Sequence, residues 1–207
     1  LVYNNLGRYQ KAIDFYQQSF MISKQIGDLK SEGVALNNLG LISYYLGQYQ
    51  KAIVFYHQSL IIFKQIGDRN SEGKSLNNLG AAYTSLGQYQ KALDFYQQTL
   101  VISKQIGDRN SEGVALNNLG ITYSSLSQYQ KAIDFYQRSL TIAQQIGDRK
   151  LEGLNFNNLG SVYENLGQYP RAIDLYQQSL AISQQIGDRN SEGKSLNNLG
   201  ITYSSLS

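Results

Sequence analysis

The 207-residue chain contains no cysteine, so a disulfide framework, a thiol nucleophile and a cysteine-based metal site are all excluded. Charged residues are scarce, at 16%, and the formal net charge is only +3. Because no run of Lys or Arg forms a basic stripe, we expect no nucleic-acid partner. The longest apolar runs are far too short to cross a bilayer, and we therefore expect no membrane partner either.

The dominant feature of the sequence is a repeat. The tetrapeptide Asn-Asn-Leu-Gly begins at residues 37, 77, 117, 157 and 197, always 40 residues apart. A fixed period of this length is typical of small units that stack to bury their apolar faces. We interpret residues 1–207 as a single solenoid, with a partial unit at 1–27, full units at 28–67, 68–107, 108–147 and 148–187, and a partial unit at 188–207. Because the chain begins and ends within a unit, we expect it to be an excerpt of a longer array.

Each unit is predicted to contain two antiparallel helices, and residues 68–107 illustrate why. Gly67 supplies the left-handed residue that commonly ends a helix. Asp68 is then a candidate N-cap, and Glu72 in the first turn is a candidate partner of the helix dipole. The first helix is predicted to reach about Leu86, where Gly87 breaks it. Its apolar face is formed by Leu76, Leu79, Gly80 and Tyr83.

The second helix is predicted from about Gln88 to Ile106. Its apolar stripe is formed by Tyr89, Ala92, Leu93, Tyr96, Leu100 and Ile106, and is widened by Phe95 and Ile102. Gly80 recurs at the same position of the other units, and we expect it to allow close approach of the second helix, with Ala92 as the complementary small residue. The departures from the unit include Ser43 in place of the inward Tyr, Ser127 in place of a turn glycine, and Pro170 at the start of a second helix.

These residues resemble the tetratricopeptide repeat. The pattern Leu-x-x-Leu-Gly-x-x-Tyr matches at Leu76, Leu79, Gly80 and Tyr83, and the second-helix signature matches at Ala92 and Tyr96. The unit is longer than the common 34 residues. It resembles the repeats of kinesin light chains, of cell-polarity adaptor proteins and of bacterial, especially cyanobacterial, arrays. The resemblance implies an all-α fold, a right-handed α-solenoid superhelix of stacked antiparallel helix pairs.

In tetratricopeptide arrays the first helices line a concave groove, and the resemblance places one face of these helices toward a ligand. The candidate peptide- or partner-binding residues are Asn37, Asn77, Asn117, Asn157 and Asn197, flanked by Asn38, Asn78, Asn118, Asn158 and Asn198, together with Lys74 and Lys194. Because a carboxamide carries both a donor and an acceptor, such a ladder suits the backbone of an extended peptide. Two alternatives stay open: the asparagines bond a neighbouring helix or face water, and the two lysines are solvated.

The sequence offers no recognisable catalytic chemistry. The only histidine, His57, stands where other units have Gln, and we interpret it as a surface residue. The recurring acidic residues are interpreted as helix caps: Asp28, Asp68, Asp108, Asp148 and Asp188. No two acids are uniquely placed for general acid–base catalysis, and no glycines gather into a phosphate loop. We therefore expect no enzymatic activity, no cofactor and no metal.

The leading hypothesis is a non-enzymatic protein–protein interaction scaffold that binds an extended peptide or partner segment in its groove. The alternative is a structural filament built by head-to-tail stacking of apolar repeat ends. Its joint would involve Leu1, Val2, Leu6, Ile201, Tyr203 and Leu206. A third hypothesis is a sensory module that regulates a fused effector enzyme. The scaffold hypothesis favours a cytoplasmic location, and the filament hypothesis an extracellular one.

Overall fold

The computed structural model describes residues 2–205, with side chains from Arg8 onward. These residues form ten α-helices and no β-strand, which confirms the predicted all-α fold. The helices are α1 (Val2–Ile26), α2 (Leu29–Tyr45), α3 (Tyr49–Ile66), α4 (Arg69–Ser85), α5 (Tyr89–Ile106), α6 (Arg109–Ser125), α7 (Tyr129–Ile146), α8 (Arg149–Asn165), α9 (Tyr169–Ile186) and α10 (Arg189–Ser204). Only two or three residues separate successive helices, and within α1 to α5 and within α6 to α10 the neighbours in sequence pack against each other as antiparallel pairs.

The helices fall into two compact units. The N-terminal unit ends at Ile106 and contains α1 to α5, and the C-terminal unit starts at Gly107 and contains α6 to α10. The core of the N-terminal unit includes Ala52, Tyr56, Leu60, Leu76, Leu79, Ala82 and Ile102. The core of the C-terminal unit includes Ala132, Ile133, Tyr136, Leu159 and Val162. Most of these side chains come from the predicted apolar faces, but Ala82 and Val162, at one equivalent position of the first helices, are fully buried and were not predicted. No helix among the described residues is long and apolar enough to cross a membrane.

The predicted caps and turns explain where the first helices begin. The carboxylate of Asp68 accepts a hydrogen bond from the backbone N–H of Ser71 at 3.0 Å, and the other four recurring aspartates cap their helices in the same way. That bond lowers the pKa of Asp68. Gly67 has the predicted left-handed conformation, with φ of 71°, and Ser127 adopts φ of 56° where other units have glycine. Gly7 lies inside α1, so this glycine does not end a helix.

The close approach at Gly80 involves a different partner from the one predicted. A Cβ atom at Gly80 would lie only 2.5 Å from Cε1 of Tyr96, so the ring of Tyr96, and not Ala92, occupies the space that glycine leaves. Ala92 is fully buried elsewhere in the helix interface. The reason is that the long side chain of Tyr96, one turn further along α5 than Ala92, reaches back across α4. Burial raises the pKa of Tyr96 to about 12.

A second correction concerns the end of the predicted stripe. Ile106 is exposed, as are its equivalents Ile66, Ile146 and Ile186. Each is the last residue of its helix, directly before the left-handed glycine, where the chain turns away from the interface. The apolar stripe of α5 therefore ends at Ile102.

Candidate functional site

Asparagine side chains connect the first helices of consecutive repeats. In the N-terminal unit, Nδ2 of Asn78 on α4 donates to Oδ1 of Asn37 on α2 at 3.1 Å. In the C-terminal unit, Asn158 donates to Asn117 at 2.9 Å and Asn198 donates to Asn157 at 3.0 Å. The direction is the same each time: the second Asn of one repeat donates to the first Asn of the preceding repeat. The alternative that asparagines bond a neighbouring helix thus applies to these pairs, and their role in ligand binding stays a prediction.

The first asparagines of the motif differ in how accessible they remain. Asn37 and Asn157 are half-buried, Asn197 is exposed, and Asn117 is only 3% exposed. The remaining candidates Asn38, Asn77 and Asn118 are half-buried, and the last two of these have interaction partners. Burial keeps Asn117 from most contacts with solvent, whereas the first asparagines of the other four motifs are accessible, and Asn197 is the most exposed of them.

A small pocket of about 190 Å³ opens beside Asn37 in the N-terminal unit. Its lining residues are Val34, Asn37, Phe63, Ser71 and Lys74. Val34 and Lys74 are exposed, whereas Phe63 is buried and forms the floor. The structure therefore brings together two of the predicted site residues, Asn37 and Lys74, which lie 37 positions apart.

A larger pocket of about 470 Å³ opens in the C-terminal unit, and two of its lining positions are equivalent to lining positions of the smaller pocket. Its lining residues are Asn157, Arg189, Asn190, Gly193, Lys194, Asn197 and Asn198. Asn157 and Lys194 occupy the same repeat positions as Asn37 and Lys74, again 37 positions apart. Both predicted lysines thus lie beside the first Asn of the preceding repeat.

An aromatic cluster lies at the end of α2, where the sequence departs from the repeat. The ring of Tyr44 is 6.0 Å from that of Tyr45 and 5.4 Å from that of Tyr49, between centroids, and Tyr45 stacks on Tyr9 at 6.5 Å. The hydroxyl of Tyr44 also bonds Oγ of Ser85 at 3.0 Å. Tyr45 remains 60% exposed. The signal in the sequence was Tyr44-Tyr45, because other repeats have Ser, Thr, Glu or Asn at these two positions.

The same position of α8 carries Glu164, another departure from the repeat. Its carboxylate accepts hydrogen bonds from the hydroxyls of Tyr176 at 2.8 Å and Thr202 at 3.1 Å. Glu164 therefore connects α8 to both α9 and α10. This bonding explains how an acidic side chain is accommodated at a half-buried position, and Glu164 has a structural role within the C-terminal unit.

An ion pair between a half-exposed Arg and a buried Glu, which was not predicted from the sequence, links the two helices of a repeat. Glu72 is only 3% exposed, and its carboxylate pairs with Arg69 at 2.6 Å. The same guanidinium donates to Oε1 of Gln105 on α5 at 2.7 Å. The equivalent side chains form the same network at Arg109–Glu112–Gln145 and Arg149–Glu152–Gln185. Glu72 lies in the first turn as predicted, but its main contact is this ion pair, and the signal was an Arg three residues before the Glu in every repeat except that of Glu32.

The lone histidine has no catalytic surroundings. His57 is half-buried rather than fully on the surface, because its ring packs against Phe95 with centroids 5.8 Å apart. Burial, and secondarily the charge of Lys64, lowers the pKa of His57. Within the described residues no group of three or more His, Asp or Glu side chains could hold a metal ion.

The residues of the filament hypothesis are only partly described. Ile201 and Tyr203 are exposed on α10. Leu1 and Leu206 lie outside the described residues, as do the side chains of Val2 and Leu6. Assembly through these residues stays a prediction.

Several solved structures are similar to this chain. BtubC (BKLC) from P. vanneervenii has a TM-score of 0.83 and 20% sequence identity, covering 96% of this chain and 84% of that one. A putative kinesin light chain of Podosopora anserina with nearly identical TPR-like repeats has a TM-score of 0.72 and 21% identity, covering 90% and 92%. A Rap protein complexed with Competence and Sporulation Factor has a TM-score of 0.81 and 17% identity, covering 98% and 60%. At these identities the likeness shows the fold.

Sequence comparison identifies the family. No individual curated protein matches the chain significantly. The family described as "Tetratricopeptide repeat", however, matches residues 1–65, 31–105, 71–145 and 152–207, and these segments cover nearly the entire sequence. Together with ten helices packed in successive pairs and the glycine–tyrosine contact repeated between paired helices, this match agrees with the resemblance seen in the sequence. The chain therefore belongs to the tetratricopeptide repeat family.

Proposed function

We propose that this chain is a non-catalytic protein-interaction scaffold that binds an extended segment of a partner protein along its first helices. The observation that carries the proposal is that each unit has a pocket lined by an Asn and by the Lys 37 positions later. Proteins built of tetratricopeptide repeats are generally scaffolds without catalysis of their own, which supports this class of function.

The chemistry of the pockets suits a polypeptide better than a small metabolite. Each pocket is lined by at least one carboxamide and one lysine, with Ser71 added in the smaller pocket and Arg189, which is paired with Glu192, in the larger one. Carboxamides and ammonium groups bond backbone carbonyls of any sequence, and neighbouring side chains such as Val34 then select the partner. One related fold has been solved with a bound factor, the Rap protein with Competence and Sporulation Factor, and this precedent supports a peptide or protein partner.

The lysines provide a clean test, because neither Lys74 nor Lys194 makes an ion pair or hydrogen bond within the described part of the chain. Peptides selected from a random display library on the purified chain should bind the double variant Lys74→Gln/Lys194→Gln more weakly. Each lost hydrogen bond is worth about 0.5–1.5 kcal/mol, or about 2- to 12-fold in Kd. Titration calorimetry measures this loss, while the melting temperature should stay unchanged.

The matched control is Lys11→Gln/Lys51→Gln, which removes the same charge from exposed positions of α1 and α3. Selected peptides should bind this control as they bind the wild type. Equal affinity for both double variants would place the binding surface elsewhere and contradict the proposal. Failure of repeated selections to yield any binder would contradict it as well.

A further inference from the structure

The bond between Asn37 and Asn78 determines which half of the Asn37 carboxamide faces a ligand. Oδ1 of Asn37 accepts from Asn78 at 3.1 Å, whereas Nδ2 of Asn37 makes no hydrogen bond within the described residues. The amide that remains for a ligand is therefore a donor. The bond from Asn78 occupies one of the two acceptor positions of Oδ1, whereas both N–H donors of Nδ2 stay open to a ligand.

Donors outnumber acceptors among the polar groups of the same pocket, where Oγ of Ser71 and the second lone pair of Oδ1 of Asn37 are the acceptors. Lys74 has three N–H donors and no acceptor. Ser71 gives its hydroxyl hydrogen to the carboxylate of Asp68 at 3.0 Å, so that only its oxygen faces the pocket. An extended β-type peptide would bring backbone N–H groups as well as carbonyls and would find few acceptors for them. A segment that offers carbonyls without N–H groups fits this lining better, and proline is the residue that lacks the N–H.

The tyrosine cluster offers the second feature that a proline-rich segment needs. Tyr45 is 60% exposed, stacks on Tyr9 and contacts Tyr44, so aromatic surface is open to solvent at the C-terminal end of α2. Aromatic rings are the usual docking surface for polyproline II segments. Tyr44 bonds Ser85 on α4, which places this ring on the side of α2 that also carries the Asn37–Asn78 bond.

The spacing of the two features matches this helix type. Asn37 and Tyr44 are seven residues apart on α2, which corresponds to about 10.5 Å along the helix axis. A polyproline II helix rises about 3.1 Å per residue with three residues per turn, so about three ligand residues span this distance. One face of such a ligand would thus present a carbonyl to Asn37 and, one turn away, a proline ring to the tyrosines. Lys74 additionally disfavours a basic segment.

We propose that the face of α2 and α4 in the N-terminal unit binds a proline-rich, neutral or acidic segment in the polyproline II conformation. Asn37 and Lys74 donate to its carbonyls, and Tyr44 and Tyr45 contact its proline rings. Asn78 is a positioning residue, because it holds Oδ1 of Asn37 and so directs Nδ2 toward the ligand. This inference rests on the proposed function and specifies the class of partner.

The test uses a fluorescein-labelled 12-residue peptide with four repeats of Pro-Pro-Ala, and a second peptide in which Ala replaces every proline. Fluorescence anisotropy should show at least 10-fold tighter binding of the proline peptide. Asn37→Asp should weaken that binding at least 10-fold, because its carboxylate still accepts from Asn78 but presents an acceptor to the ligand carbonyl. Its melting temperature should remain that of the wild type. Tyr45→Ala should weaken binding about 3- to 10-fold.

Gln90→Glu is the control, since it makes the same carboxamide-to-carboxylate change at an exposed position of α5. It should bind like the wild type. Equal binding of the two peptides, or unchanged binding by Asn37→Asp, would overturn the inference. If the proline peptide fails to bind while library-selected peptides bind in a Lys74-dependent way, the inference is wrong and the scaffold function stands. If neither binds, both fail.

Discussion

At the scale of single residues, neighbouring asparagines of one motif have different environments. The second Asn of a repeat donates to the first Asn of the repeat before it, as Asn78 does to Asn37 and Asn198 does to Asn157. Such bonds link first helices without a charge, and they orient the carboxamide that faces the pocket. The identical sequence of the motif conceals this division, because the partner of each side chain lies 41 positions away.

Asn155 has a buried side-chain oxygen that accepts no hydrogen bond within the described residues. It is fully buried, and its Nδ2 donates to Ser139 and to the Leu151 carbonyl, but its Oδ1 has no hydrogen-bond partner. Asn155→Ser should raise the free energy of unfolding by about 1 kcal/mol, because a buried unsatisfied carbonyl costs about 1–3 kcal/mol and the smaller side chain recovers part of that. Ser195, at the equivalent position, keeps the bond to Ser179 at 3.0 Å. Urea denaturation measures the change.

The reverse substitution is the control for Asn155→Ser. Ser75 lies at the equivalent buried position of α4 and bonds Ser59 at 3.2 Å. Ser75→Asn should lower the free energy of unfolding, since it introduces at the equivalent position the carbonyl oxygen that no donor reaches at Asn155. A loss of stability in Asn155→Ser would show that Oδ1 has a partner, such as a buried water, that compensates its burial.

At the scale of helices, paired packing depends on a glycine beneath a tyrosine ring. A Cβ atom at Gly120 would lie 2.6 Å from Cδ1 of Tyr136, whereas no described atom lies within 4 Å of a Cβ atom at Gly200, the equivalent position of α10. Gly120→Ala should therefore lower the free energy of unfolding by about 1–3 kcal/mol through overpacking. Gly200→Ala should raise it by about 0.5–1 kcal/mol through helix propensity. Thermal melts of the two variants should shift in opposite directions, and shifts of equal sign would contradict this account of the interface.

Features that depend on local sequence were predictable from the sequence. The aspartate caps, the left-handed glycines and the period of the apolar faces set the helix boundaries of the described residues closely. Contacts that depend on the rotation of one helix against another were not predictable. The ring of Tyr96 against Gly80 is one example, and the ion pair of Glu72 with Arg69 and Gln105 is another. Long side chains contact residues of neighbouring helices, and a helical wheel drawn for a single helix does not show those residues.

The residues of the candidate site were predictable from the sequence, but their mutual contacts were not. Asn37 and Lys74 were predicted from the resemblance to tetratricopeptide arrays, but their shared pocket follows only from the packing of α2 on α4. The sequence shows Tyr44 and Tyr45 as departures from the repeat. Their contacts with Tyr9 and Tyr49 depend on α1 and α3, which a single-helix pattern cannot describe.

At the scale of the whole molecule, the central claim is that a partner segment lies on the first helices. Exposed apolar residues occur on both kinds of helix and provide matched positions for site-specific photo-crosslinking. Val34 on α2 is 43% exposed, and Leu154 occupies the same repeat position on α8. Val54 on α3 and Val101 on α5 are each 54% exposed on second helices. A benzophenone side chain at each of these positions samples the two surfaces equally well.

The most direct measurement is the crosslinking yield of these four variants with a library-selected peptide, read by mass spectrometry. The account predicts adducts with the peptide from positions 34 and 154 and background yield from positions 54 and 101. Adducts that join two copies of the chain, formed increasingly at higher protein concentration, would support the filament alternative instead. Peptide adducts confined to positions 54 and 101, or equal at all four, would contradict a binding surface on the first helices.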